Sequence, residues 1–62
     1  MADLQDLRNH HDALKLHFES VMEELRFYIV NKGDPQLKPF VEDRIGEFDE
    51  AWAAFKVALG TV

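Results

Sequence analysis

The chain has 62 residues, a formal net charge of −5, 47% hydrophobic residues and no cysteine. That length allows one small domain, which buries only roughly 60% of the surface its unfolded form exposes, and the lack of cysteine excludes disulfide staples and thiolate metal sites. The acidic balance disfavours a nucleic-acid phosphate backbone or an anionic membrane as the main partner, while the hydrophobic share is too high for a disordered chain.

The opening "MADLQDLRNHH" carries no basic segment followed by an apolar one, so it does not read as a signal peptide. No apolar run approaches the roughly 18 residues of a membrane span. A cytoplasmic location is the expectation, with no membrane partner. Steps of three and four then pick out Leu4, Leu7, His11, Leu14, Phe18, Val21, Leu25 and Tyr28, and only His11 interrupts the apolar or aromatic run. This heptad pattern predicts a helix over about residues 3–32. Asp3 and Asp6 in its first turn and Lys32 in its last suit the helix dipole.

"NKGDP" follows at residues 31–35. Gly33 suits a left-handed position after a helix, Asp34 an N-cap and Pro35 a first helical position. A second proline, Pro39, would cost about 3 kcal/mol inside a helix. The expected arrangement is therefore a turn over about 33–38, containing one short helical turn at 35–38, and a second helix over about 39–59. The second stripe is Val41, Ile45, Phe48, Trp52, Phe55, Leu59 and Val62, and Gly46 falls on the outer face.

Pairing the stripes antiparallel gives every layer a partner, from Tyr28 with Val41 to His11 with Leu59, at nearly constant index sum. The expected fold is all-α: one domain over 1–62, an antiparallel two-helix hairpin. Small domains without staples gain core by association. The hairpin is therefore expected to complete a four-helix bundle, either as a homodimer or with a dedicated protein partner. Met22 and Ile29 flank the first stripe, and Ala51 and Ala58 flank the second. Phe27, Val30 and Phe40 lie off both stripes, so "FYIV" at 27–30 makes the hairpin tip apolar all round. A helix apolar on every side is a buried one. These seven residues are the candidate interface.

Chemistry-bearing patterns are sparse. Among His10, His11, His17, Asp3, Asp6 and Glu24, only Asp6 and His10 have the spacing to share a metal on one helix, and two ligands do not make a site. His11 reads as a half-buried seam histidine that sets register, with a pH-sensing role as the sharper alternative. Ser20 and Thr61 are the lone serine and threonine, "EE" and "EFDE" read as solvated helix faces, and no glycine-rich phosphate loop exists. No enzyme activity, metal or cofactor is expected. The seven Lys and Arg residues are interleaved with acids and form no basic strip, so nucleic-acid binding is the rival reading rather than the leading one.

The length, the hairpin layout and the Gly-Asp turn resemble two kinds of small protein. One is the plasmid copy-number regulator Rop, which implies a dimeric four-helix bundle that binds paired RNA loops. The other is the small needle-subunit co-chaperone of type III secretion, which implies an acidic hairpin that pairs with a second chaperone to hold an export substrate. Neither resemblance rests on a residue motif, and neither assigns a role to any residue here. The functional expectation is a non-enzymatic interaction protein (adaptor, chaperone subunit or regulator) acting through an apolar helical face.

Overall fold

The computed structural model describes residues 3–61. Two helices, α1 (Leu4–Val30) and α2 (Lys38–Gly60), pack against each other in a rod 45 × 14 × 10 Å. Val62, expected at the end of the second stripe, lies outside the described residues. Asp3 is the N-cap of α1: its carboxylate accepts the Asp6 N–H at 2.9 Å, satisfying one of the free donors of the first turn.

The C-terminal end of α1 differs from expectation by one position. Asn31 is the C-cap, and the residue after it, in the left-handed region, is Lys32 (φ 62°), followed by Gly33 (φ 69°). Lys32 N–H donates to the Ile29 carbonyl and Gly33 N–H to the Tyr28 carbonyl, both at 2.9 Å. This is the pair of bonds that defines a Schellman motif. The Asn31 side-chain amide donates to the Phe27 carbonyl at 2.8 Å. Lys32 therefore lies outside the helix it was expected to end. Two left-handed residues reverse the chain tightly, and the Tyr28 ring packs over Gly33, where a Cβ would sit 3.5 Å from its hydroxyl.

Asp34 caps a separate small turn rather than α2. Its carboxylate accepts the Gln36 N–H at 2.9 Å, and its carbonyl accepts the Leu37 N–H at 2.9 Å. Helix α2 begins after Leu37, which offers no side-chain cap, and Pro39 falls in its first turn. There the missing N–H leaves no hydrogen bond unmade. Gly46 faces open space.

The seam itself is rotated from the expected one. Covered positions on α1 run through Leu7, His10, Leu14, His17, Val21, Glu24 and Tyr28, and on α2 through Val41, Arg44, Phe48, Ala51, Phe55 and Ala58. Half of each expected stripe belongs to this seam: Leu7, Leu14, Val21, Tyr28, Val41, Phe48 and Phe55. The other half does not. Leu4, His11, Phe18, Ile45, Trp52 and Leu59 are exposed, while Leu25, on the same side, is covered to the same intermediate degree as Leu7, Leu14, Val21 and Tyr28. They sit about 40° further round each helix, a step of four residues. The cause is steric. Ala51 and Ala58 are small, so the helices close on their side, and Ala58 is only 7% exposed.

Polar groups on that closing side find partners or water. Arg44 reaches Glu24 across the seam at 3.9 Å and Glu47 along its own helix at 3.5 Å. The hairpin alone buries very little: Val41 at 8% exposure and Ala58 are its only buried hydrophobic residues among those described.

Candidate interaction surface

Rotation of the seam leaves the second half of both stripes side by side on one broad face. The centre of that face is a groove lined by His11, Leu14, Lys15, Phe18, Phe48 and Trp52. Phe18 of α1 meets Phe48 of α2 at a ring-centroid distance of 6.1 Å with a 57° tilt. Phe48, Trp52 and Phe55 then stack along α2 at 6.5 and 5.8 Å. Such aromatic packing adds about 0.5–1.5 kcal/mol per pair beyond area burial. Even so, Phe18 remains 52% exposed and Trp52 45% exposed. Toward the turn the face continues into a groove lined by Met22, Leu25, Ile29 and Val30 with Glu23 and Arg26. Away from the turn it ends at Leu4 and Leu59.

The opposite face is different in kind. Near the turn, Phe27, Leu37 and Phe40 line a smaller patch together with Glu23 and Glu24. Beyond it the surface carries the Glu24–Arg44–Glu47 ion pairs, small residues such as Ala13 and Ser20, and one exposed leucine, Leu16, between them. The four apolar residues at 27–30 thus divide among three places. Tyr28 enters the seam, Phe27 joins Phe40, and Ile29 and Val30 join Met22 along one groove.

Of the seven residues expected at an interface, Met22, Phe27, Ile29, Val30 and Phe40 are exposed. They divide between two faces rather than forming one tip surface. Ala51 and Ala58 require correction: they line the seam of the hairpin and let its own two helices approach. The residues that periodicity placed in the core, Phe18, Ile45, Trp52 and Leu59, supply the open face instead. Their signal was present as the outer half of each stripe.

His11 also needs correction. It is not a half-buried seam group; its side chain is 71% exposed, and Nδ1 lies 3.2 Å from the Asp12 carboxylate. His10 and His17 occupy the seam side. Among the described residues no three His, Asp or Glu side chains converge as a metal ion would need. No helix among them is long and apolar enough to cross a membrane. No protein-family model, curated protein or solved structure matches this chain.

Proposed function

We propose that this protein is a non-enzymatic interaction module whose broad apolar face, centred on Phe18 and Trp52, binds another polypeptide chain. The observation that carries the reading is the mismatch between what the hairpin exposes and what it buries. Phe18, Met22, Ile29, Ile45, Trp52 and Leu59 all stand at 42% exposure or more. Contiguous apolar surface of this kind marks an interaction site when it lies on one face, and aromatic residues at its centre are the side chains that dominate binding energy.

The molecule's dimensions support the same reading. A folded protein of 7.2 kDa is expected to expose about 4,100 Å², whereas this chain exposes 4959 Å². Its radius of gyration is 14.3 Å, against about 11 Å for a compact domain of this length. The rod has the surface of a component rather than of a finished globule.

The test is association of the purified chain, by sedimentation equilibrium over a concentration series, together with chemical crosslinking in extracts of the native cell. Trp52→Ser combined with Phe18→Ser should abolish the complex found. A wild type that stays folded and unassociated in both settings would refute the reading. Gel-shift against structured RNA and duplex DNA addresses the rival class. A nucleic-acid binder would form a complex that weakens steeply with salt, and the expected result is none.

A further inference from the structure

The geometry points to a second copy of this chain, packed antiparallel on the apolar face about a two-fold axis at the level of Phe18 and Trp52, as the occupant of that face. This inference rests on the interaction-module reading and names its partner. The exposed area suits a second copy. The excess over a finished globule of this mass is about 800 Å², which is the amount one partner contributes to a standard interface. A second hairpin of the same length covers the whole face, while a short peptide would leave much of it in water.

The face is also complementary to itself, as a two-fold interface must be. Phe18 and Trp52 share one groove at one level of the rod. On α2, Ile45 lies two turns before Trp52 and Leu59 two turns after it. Antiparallel rotation about that level therefore sets Ile45 against Leu59 of the second copy, twice. Along the rim of the same helix, Asp49 precedes Trp52 by one turn and Lys56 follows it by one turn. The same rotation sets Asp49 against Lys56 of the second copy, again twice. On α1, His11 meets Leu25 of the second copy, and Arg8 and Lys15 lay their aliphatic stems on Ile29 and Met22 with their charged ends in water.

A parallel arrangement, with α1 of each copy on α2 of the other, would instead bring Lys15 beside Lys56 of the second copy on both edges of the face, at one level of the rod. Like-charge juxtaposition of this kind is what excludes a wrong partner orientation. The charge pattern thus selects the antiparallel dimer, a four-helix bundle with turns at opposite ends.

Charge exchange tests the pairing without touching the hairpin core. Asp49 and Lys56 are two turns apart on one helix, about 10 Å along its axis, so they do not pair within a chain. Sedimentation equilibrium on the wild type should give a dimer. Asp49→Lys alone and Lys56→Asp alone should each weaken it about tenfold, since two rim ion pairs become two repulsions. The double variant carrying both changes should recover wild-type affinity, and an equimolar mixture of the two single variants should form a heterodimer in preference to either homodimer. Circular dichroism of each variant checks that the helices persist. Loss of dimer in the singles without recovery in the double would overturn the antiparallel register. A wild type that remains monomeric at millimolar concentration would overturn self-association outright. If such a monomer is nonetheless crosslinked to a different protein through Trp52, the interaction-module reading stands and only the identity of the partner changes.

Discussion

Lys32 holds a backbone conformation that a side chain makes expensive. Left-handed geometry costs an L-residue about 1–2 kcal/mol, and glycine is the residue that usually fills the position after a C-cap. Here glycine comes one place later, at Gly33, so both residues turn left-handed and only one of them does so freely. Lys32→Gly should therefore raise stability by about 1 kcal/mol, read as a higher urea midpoint with unchanged slope. Gly33→Ala should lower it by a similar amount. A Cβ there meets Tyr28 at an ordinary 3.5 Å, so the penalty comes from φ and not from crowding. If both changes leave the midpoint in place, the two-residue reversal is not the structure in solution. The sequence "NKGDP" made a turn plain, since Asn, Gly, Asp and Pro each favour one. It did not reveal which residue would be left-handed, because the helix ends where its hydrogen bonds to Ile29 and Tyr28 can close, not where glycine is most convenient.

At the scale of the elements, the two helices and their antiparallel packing were legible because heptad stripes matched layer by layer. The face each helix turns inward was not. Every apolar stripe that zigzags by three and four can be read with its second column on either side of the first, about 80–100° apart. Apolar content chose the column with Phe18, Trp52 and Leu59. The hairpin uses the column with Ala51, Ala58 and the Glu24–Arg44 pair. Small residues allow close approach of two helices, and large residues on the other side are then free to receive something else. Single-sequence periodicity shows how much apolar surface a helix has and says nothing of which chain covers which part. Gly46 offers a clean check that α2 is helical through its middle with one side in open water. Nothing lies within 4 Å of a Cβ built there, so Gly46→Ala should stabilise the protein by about 1 kcal/mol through helix propensity alone. Its association, measured by sedimentation at matched concentration, should be unchanged. A shift in association would place that side of α2 inside a contact.

For the whole molecule, a hairpin that buries so little by itself draws stability from whatever covers its face. Binding to the folded state alone raises stability in proportion to RT ln(1 + [L]/Kd), and in self-association the ligand is the protein. The thermal midpoint of the wild type should therefore rise as protein concentration rises, and the Phe18→Ser, Trp52→Ser double variant should melt lower with little dependence on concentration. The two apolar patches make the faces separable. Phe27 and Phe40 sit near the turn beside Glu23 and Glu24, on the face away from Trp52. In the antiparallel dimer they stay in solvent at both ends of the bundle. Phe27→Ser with Phe40→Ser should then leave the dimer constant within about twofold, whereas Trp52→Ser, which strips an aromatic anchor from the centre, should weaken it by about a hundredfold, the order of about 2–3 kcal/mol that such anchors carry. Sedimentation equilibrium of the two variants beside the wild type measures both effects at once. The reverse ranking, with the turn variant dissociating and the Trp52 variant intact, would put the dimer on the turn patch and leave the broad face for a different protein.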